Sequence, residues 1–507
     1  MSTKRLTSRR GAIFVTAMWV TIIIGAVVLV FARSMRVELI ASANRVSADQ
    51  AEAIELGVEQ YVLAAVDNID GEAEYVLSLP GEQCKLGDGY FWLLRPSANQ
   101  QNYEFGITDE ASKLNINTAA TRPSTNGSTP AAQLMLLPGI TNQQADSIVD
   151  WIDTDTQNVT NGDGAESPFY EGLPEPYDAK NANLETLEEL NLIQGIGPGF
   201  QGGPDLLYGI DRNHNGVIEP GEMAQGSTGT NSFGETADRG IFPFITIYSQ
   251  EPDVDLQGNP RINCRGTTTG GGGGGGGNIA TQLTNAGVQS NIAQRIATAV
   301  QQASGNQGNQ NNQTSRTQTV QNNQGITSIF MLAQRAGLSS QDLATVADKL
   351  SFVNPRGSAT TGLINVNTAP REVLMTLTAL TTVTQNDIDN LVNERSRADL
   401  STIMWVSQAL TPEKATEIGP YITSRSFVYS ADIVAVSGDG RAFKRVRIVV
   451  DATKSPAKII YRRDLTSLGW PLPEEVRTSL RQGRGPGPSL SGGNNGMGGM
   501  GGMGLGR

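Results

Sequence analysis

The sequence contains few residues that could carry redox, metal or nucleophilic chemistry. Of its 507 residues, two are cysteines (Cys84 and Cys264) and one is a histidine, His214. The cysteines lie far apart in no metal-ligand spacing, and no second imidazole is present to complete a zinc site or a histidine-based catalytic site. Either one disulfide in an oxidising compartment or two inert thiols fits this pair of cysteines.

Positive charge is also scarce. The chain carries 38 Lys and Arg against 50 Asp and Glu, a formal net charge of −12. Nucleic acid and anionic lipid both require a cationic surface, so general affinity for either is disfavoured, and proteins or cations are the expected partners. The 58 glycines are a large excess over ordinary usage. Part of this long chain should therefore form flexible linkers between several units.

A basic leader followed by a long apolar run is the strongest local signal. Four of the first ten residues are Lys or Arg, and residues 12–32 (AIFVTAMWVTIIIGAVVLVFA) contain no charge. As a helix this run is about 30 Å long, enough to span a bilayer. The basic flank predicts a cytoplasmic N-terminus and places the chain after Arg33 outside the inner membrane. An ordinary signal anchor would show the same features, whereas a cleaved secretory signal is disfavoured by the length of the run.

The helical pattern continues well beyond the apolar run. Apolar residues recur at three- and four-residue steps after Arg33, and no proline occurs before Pro80. One helix of about 55 residues, on the order of 80 Å long, is therefore predicted over residues 12–66. Gly11 lies directly between the basic leader and this helix.

The junction at Gly11 resembles the site that prepilin peptidase cleaves, and the long helix resembles the spine helix of the type IV pilin superfamily. The resemblance implies that Ala12 becomes the N-terminal residue and is methylated. Most members have Glu at the fifth mature position, where its carboxylate meets the terminal amine of a neighbouring subunit. Here that position is Thr16. Because a buried ammonium and carboxylate need each other, Thr16 predicts weak incorporation into a filament shaft.

Strand patterns stand at both ends of the exported part. They occupy residues 89–117, 426–436, 442–452 and 457–463, with Asp439-Gly440 as a hairpin turn. The predicted fold class is α+β: a long spine helix and a pilin-like antiparallel sheet interrupted by a large helical insertion. Two unrelated β segments are the alternative.

An internal repeat lies within the insertion. Residues 114–120 (LNINTAA) return as residues 364–370 (INVNTAP) with four identities, and each copy leads into a helical pattern, at 134–153 and 373–395. These units resemble the two helix-hairpin-helix-like (SAM-like) units of the general secretion pathway protein K family. Further segments resemble motifs of that family: DEASKLNINTA (109–119), DWIDTD (150–155), GAESPFY (164–170), KNANLETLEEL (180–190) and SRSFVYSADI (424–433).

The resemblance implies a non-catalytic minor pseudopilin of the type II secretion system. Members of this family also lack the glutamate at the fifth mature position and cap the pseudopilus tip. Expected partners are other minor pseudopilins, prepilin peptidase and the inner-membrane secretion platform. The expected location is the inner membrane, crossed once, with the bulk of the chain in the periplasm and a role in protein export across the outer membrane.

The expected organisation follows from these patterns and the resemblance. It comprises a leader (1–11), a transmembrane and spine helix (12–66), the first part of the pilin-like domain (67–117), a first helical unit (118–200), a calcium-loop insertion (201–265), a low-complexity linker (266–325), a second helical unit (326–421), the C-terminal strands (422–470) and a disordered tail (471–507).

Three other functions fit parts of the sequence. A tip subunit of a type IV pilus would share these features and differ only in its machine. A membrane-tethered DNA-uptake protein would use hairpin amides and nearby basic residues to bind phosphate. However, residues 105–200 carry fourteen acidic side chains against three basic ones. A hydrolase would need a convergent polar site, which the sequence does not suggest.

The segment 211–222 (DRNHNGVIEPGE) matches the calcium loop of an EF-hand. The pattern assigns side-chain oxygens to Asp211, Asn213 and Asn215, a carbonyl to Val217, a water-mediated contact to Glu219 and a bidentate carboxylate to Glu222. Calcium is therefore the predicted cofactor. A turn-rich loop that binds nothing is the alternative.

A second candidate metal site contains Asp153, Asp155, Asp163 and Glu166, four acids within fourteen residues. Clustered carboxylates repel one another unless a cation or water compensates. The family resemblance implies calcium in this region. A solvated acidic loop fits the same spacing.

Overall fold

The computed structural model describes residues 10–67, 76–95, 104–123, 129–158, 163–197, 205–209, 211, 240–265, 275–303, 325–353 and 359–490. The α-helices are α1 (Arg10–Asp67), α2 (Ile116–Ala120), α3 (Pro130–Leu134), α4 (Asn142–Ile152), α5 (Ser167–Glu171), α6 (Gly275–Asn285), α7 (Ser290–Ala303), α8 (Ile329–Ala336), α9 (Ser340–Val346), α10 (Arg371–Met375), α11 (Gln385–Arg395), α12 (Val406–Ala409), α13 (Pro412–Ile418) and α14 (Glu474–Arg481).

The strands are β1 (Cys84–Leu86), β2 (Gly89–Arg95), β3 (Glu104–Phe105), β4 (Thr108–Asp109), β5 (Leu114–Asn115), β6 (Ile245–Thr246), β7 (Gln250–Pro252), β8 (Ile262–Asn263), β9 (Leu350–Ser351), β10 (Ala359–Thr361), β11 (Ile364–Asn365), β12 (Ile422–Thr423), β13 (Val428–Val436), β14 (Phe443–Asp451) and β15 (Lys458–Asp464).

Helix α1 confirms the predicted continuous spine. It runs for 58 residues. Its first half is exposed, whereas Ile54, Val58 and Val62, spaced at four-residue steps, are buried against a sheet. Among the described residues, α1 is the one helix that is long and apolar enough to cross a membrane. It therefore combines an apolar segment that fits a single-pass anchor with a surface that packs against the sheet.

One antiparallel sheet contains strands from both ends of the chain that follows α1. Its order is β1-β2-β13-β14-β15, with β3 paired to β2 and β4 paired to β13. Strand β2 pairs directly with β13, where Leu94 lies opposite Asp432. The predicted antiparallel sheet, interrupted by a helical insertion, is thus confirmed. Strands β13, β14 and β15 begin and end within two residues of the predicted strands.

The C-terminal segment differs from the prediction of a disordered tail from residue 471. Helix α14 lies there and packs on the face of the sheet opposite α1, against Trp92 and Val436. Val476 and Leu480, one helical turn apart, are buried in this contact. The structure describes the chain up to Leu490, and residues 491–507 lie outside the described residues.

The predicted low-complexity linker also contains ordered structure. Helices α6 and α7 pack together, and Ile292 and Ile296 of α7 share a core with Cys264 and Leu332. The apolar positions of α7 recur at helical spacing, so even this Gln-rich sequence has a face to bury. Residues 266–274 and 304–324 of the predicted linker lie outside the described residues.

Both cysteines are free thiols. Cys84 lies on strand β1 and is partly exposed, whereas Cys264 is fully buried in the core formed with α7. Burial raises the pKa of the Cys264 thiol to about 12. Of the two alternatives, one disulfide or two inert thiols, the structure has two thiols.

The two copies of the repeat have matching strand pairs. Strand β5 runs parallel to β6, and β11 runs parallel to β12. The pairing strands β6 and β12 begin the segments 245–249 (ITIYS) and 422–426 (ITSRS), which share an I-T-x-x-S pattern. The sequence analysis missed this pattern. The predicted strand through Asn117 ends at Asn115, because the Asn115 side chain accepts a hydrogen bond from the Thr118 amide and caps helix α2.

The two predicted helical units share a single hydrophobic core. In the first, α3 and α4 flank a turn containing Gly139, whose φ is +77°. In the second, α10 and α11 flank residues 376–384. Their likeness to helix-hairpin-helix units stays a prediction.

Candidate functional site

The predicted processing site lies in the first turn of α1. The surroundings of Gly11 and the side chain of Ala12 lie outside what the structure describes. Thr16 is exposed, and its Oγ1 donates a hydrogen bond to the Ile13 carbonyl at 2.9 Å. The position that usually holds a carboxylate therefore presents a hydroxyl bonded to its own helix. Cleavage and methylation stay predictions.

Three of the four acids predicted as a second metal site meet at the end of helix α4. Asp153 is the C-cap of α4, Asp155 follows it, and Glu166 is the N-cap of α5. One carboxylate oxygen from each of the three lies within 4.8 Å of the others. Asp163 lies outside this group of three and is exposed.

Two further acids on α4 belong to the same region. Asp146 and Asp150 are one helical turn apart and almost fully buried. Asp163 helps to raise the pKa of Asp146, and Asp150 helps to raise that of Glu166, so these acids lie within electrostatic range of one another. Asp146, Asp150 and Asp153 are spaced at i, i+4 and i+7. This spacing is the sequence signal that could have predicted one acidic helix face.

The loop that carries Glu166 is held tightly against α4. A side chain added at Gly164 would place its Cβ only 1.9 Å from Asp150 Oδ2. The loop can therefore approach the buried carboxylate only because residue 164 is glycine. This close approach brings Glu166 to the end of α4.

Two carboxylates of this cluster, those of Asp146 and Glu166, have no hydrogen-bond partner among the described residues. Both oxygens of each carboxylate are buried. Burial, with the charges of Asp150, Asp153 and Asp155, raises the pKa of Glu166 to about 7. Buried unpaired charges are costly, and a hard cation with oxygen ligands removes that cost. The chemistry of this donor set fits calcium.

Asn181 adds a neutral oxygen beside the acids. Its amide donates a hydrogen bond to the Asp155 carbonyl at 3.0 Å, and its Oδ1 is buried without a partner in the described chain. Its φ of +46° is unusual for a residue other than glycine. Together with Asp153, Asp155 and Glu166 it offers the mixed charged and neutral oxygens that calcium sites use.

The predicted calcium loop at residues 211–222 is described only at its first residue. Asp211 is buried and lines a cavity of about 100 Å³ between the sheet and the insertion. The other predicted ligands lie outside the described residues, as does His214: Asn213, Asn215, Val217, Glu219 and Glu222. The loop thus begins where the insertion meets the sheet.

Buried hydrogen bonds join the insertion to the sheet at the family-like motifs. Asp109 accepts hydrogen bonds from Asn365 Nδ2 at 2.9 Å, from Thr368 Oγ1 at 2.5 Å and from the Ser426 hydroxyl. Neighbouring Glu110 forms an ion pair with Lys113 at 2.7 Å. The segments DEASKLNINTA and SRSFVYSADI therefore hold the second repeat copy and the sheet together.

Comparisons with known proteins found a matching family model and a similar solved structure. Residues 112–200, which include the acidic cluster, match the family model of the type II secretion system (T2SS) protein K. No curated protein sequence matches the chain. A solved structure, the crystal structure of the GspK-GspI-GspJ complex from the type 2 secretion system of enterotoxigenic Escherichia coli, is similar at 11% identity and a TM-score of 0.39. The similarity covers 82% of this chain and 96% of the matched chain. Residues 112–200 of the chain are therefore similar to the first domain of type II secretion system protein K.

Proposed function

We propose that this chain is a minor pseudopilin that occupies the tip of the type II secretion pseudopilus and promotes its assembly without catalysis. Thr16 carries the proposal, since it offers no carboxylate to the terminal amine of a neighbouring subunit. A tip subunit needs no such pair, because no further subunit lies above it. Assembly of the pseudopilus would then support protein export across the outer membrane.

The insertion supports use at one place in the filament. It separates paired strands β2 and β13 and has a hydrophobic core of its own. A filament shaft built of this subunit would have to accommodate the insertion at every position. A filament tip accommodates it once. The proposed partners are the other minor pseudopilins, counterparts of the GspI and GspJ that the Escherichia coli complex contains.

The anchor supports a location in the inner membrane. In this proposal prepilin peptidase cleaves after Gly11, and helix α1 remains in the membrane with the exported part in the periplasm. The subunit is then drawn from the membrane by the secretion platform. The basic residues before Gly11 support a cytoplasmic N-terminus.

Calcium is proposed to stabilise the insertion. The buried, unpaired oxygens of Asp146 and Glu166, with Asp150, Asp153 and Asp155 close by, support one site. The EF-hand-like pattern that begins at Asp211 supports a second. In both cases the cation would act on folding and not on a reaction.

Counting subunits in purified pseudopili tests the tip proposal. We expect about one copy per filament for wild type, because incorporation along the shaft lacks the terminal ion pair. Thr16→Glu should raise the number of copies, and Thr16→Ser, which keeps the hydroxyl, should leave it unchanged. A wild-type stoichiometry comparable to that of the major subunit would contradict the proposal.

A further inference from the structure

One arginine joins helix α1 to the edge strand β15 through two buried glutamates. Arg462 Nη2 donates to Glu55 Oε1 and Oε2 at 3.0 and 3.1 Å, and Arg462 Nε donates to Glu59 Oε1 at 2.6 Å. The side chains of Glu55 and Glu59 are 0% and 7% exposed, whereas that of Arg462 is 41% exposed. Within the described part of the chain, these are the ion pairs that α1 makes.

The charges of this group do not balance when both glutamates are ionised. Glu55 and Glu59 are one helical turn apart, so two buried negative charges face one guanidinium. Two carboxylates that share a buried site hold one proton between them more readily than either would alone. One proton on the pair leaves a single carboxylate for Arg462 and restores neutrality.

Among the described residues, the elements packed around the pair supply no second cation. The residues of β14 that face α1 are apolar: Val446, Ile448 and Val450. On β13 the facing ionisable residue is Tyr429, whose hydroxyl donates to the Ser426 carbonyl at 3.0 Å. On β15, Asp464 is paired with Lys444 at 2.6 Å. Arg462 is therefore the counter-charge for both glutamates.

The proton affinity of Glu55 agrees with this geometry. Burial, together with the hydrogen bond and charge of Glu59, raises the pKa of Glu55 to about 7, although Arg462 acts in the opposite direction. Its ordinary pKa is 4.5. The folded pair thus binds a proton in the neutral range that an opened pair would release.

We propose that Glu55, Glu59 and Arg462 form a proton-controlled latch between the spine helix and strand β15. The latch is closed while the two carboxylates share a proton. It is weakened when both are ionised, because the excess negative charge is then buried at the contact between α1 and the sheet edge. The hold of the anchor helix on the edge of the sheet consequently depends on pH on the exported side of the membrane.

Hydrogen exchange of the β15 backbone amides, measured on the full chain in detergent micelles at pH 6 and pH 8, tests the latch. For a group whose pKa falls from about 7 to 4.5 on opening, the opening equilibrium rises about tenfold over this interval. Glu55→Gln removes the titratable carboxyl group while keeping a hydrogen-bonding side chain. The change in β15 opening between pH 6 and pH 8 should therefore fall from about tenfold in wild type to near onefold in this variant. Comparing the two proteins cancels the intrinsic pH dependence of exchange.

Matched variants complete the test. Glu52→Gln, at an exposed acid of α1, should keep the wild-type response. Glu59→Gln should remove the pH response of β15 opening. It replaces Glu55→Gln in the test if that variant does not fold. An unchanged pH response in the Glu55 or Glu59 variant would overturn the proposal. An equal response of the β1 amides at the opposite edge would also overturn it, because the whole sheet would then be opening.

Discussion

Arg371 neutralises Asp389 in the second helical unit, its Nε donating to Asp389 Oδ1 at 2.7 Å. The internal repeat aligns Asp146 of the first unit with Asp389, but Thr121 stands where the second unit has Arg371. Both oxygens of the buried Asp146 carboxylate lack a hydrogen-bond partner among the described residues. A cation held by the neighbouring acids is therefore proposed as the counter-charge in the first unit.

The acidic cluster predicts opposite effects of one substitution in calcium and in chelator. Glu166→Gln removes a ligand charge, so with calcium it should lower the melting temperature of the full chain. In chelator it should raise the melting temperature, because it removes one of several repelling carboxylates, an effect of roughly 1 to 3 kcal/mol. Thermal melts under both conditions measure this. Asp178→Asn, at an exposed acid of the same unit, is the matched control and should change neither melt.

The EF-hand-like loop predicts calcium stabilisation through residues 211–222. An extracellular module of this kind binds in the range of about 10⁻⁴ to 10⁻³ M, and at ten times the dissociation constant the gain is roughly 1.4 kcal/mol. Glu222→Gln should weaken this gain more than His214→Ala, since the histidine occupies no ligand position. Melts of the two variants, with calcium and with chelator, separate the effects. A wild-type melt unchanged by chelator would show that the calcium assignments are wrong.

Processing at Gly11 predicts the mass of the mature protein. Intact-mass measurement of the membrane-extracted chain should show a protein that begins at Ala12 and carries one methyl group on its amine. Gly11→Val should leave the leader attached, because a β-branched side chain would then stand at the cleaved bond. A wild-type chain that keeps Met1 in cells with active prepilin peptidase would contradict the pilin assignment.

Helix α14 predicts that the C-terminal segment contributes to folding. Leu480 is 2% exposed and packs on the sheet with Trp92. Leu480→Ala should lower the free energy of unfolding by about 2 to 4 kcal/mol, because it opens a cavity in that contact. Thr478→Ala on the exposed face of the same helix is the control and should have little effect. Denaturant unfolding of both variants measures the difference, and equal stabilities would show that α14 does not pack as described.

Local patterns predicted the parts of the fold whose partners are close in sequence. The charge-free run at 12–32 and the apolar spacing of Ile54, Val58 and Val62 suffice for α1, since a helix needs only its own hydrogen bonds and one buried face. The hairpin of β13 and β14 follows from alternation around Asp439-Gly440.

Helix α14, which lacks such a local cue, was missed. Helix α14 has charged residues at most of its exposed positions. Its Val476 and Leu480 side chains are buried only because they contact Trp92 on β2 and Val436 on β13. Helices α6 and α7 lie in a low-complexity segment. The apolar positions of α7 recur at helical spacing, but their burial depends on residues beyond the segment, such as Leu332. Propensity alone could not predict which residues these helices pack against, because tertiary burial supplies most of their stability.

The amino-acid sequence by itself determined the membrane anchor, the absence of a carboxylate at Thr16 and the presence of an acid-rich first unit. Tertiary structure alone decided which acids meet. It added Asp146 and Asp150 to the cluster, left Asp163 at its edge, and placed Glu55 and Glu59 against Arg462. The reason is physical: charge and hydropathy are properties of each residue, whereas burial and the distance between carboxylates arise only when segments far apart in the chain pack together.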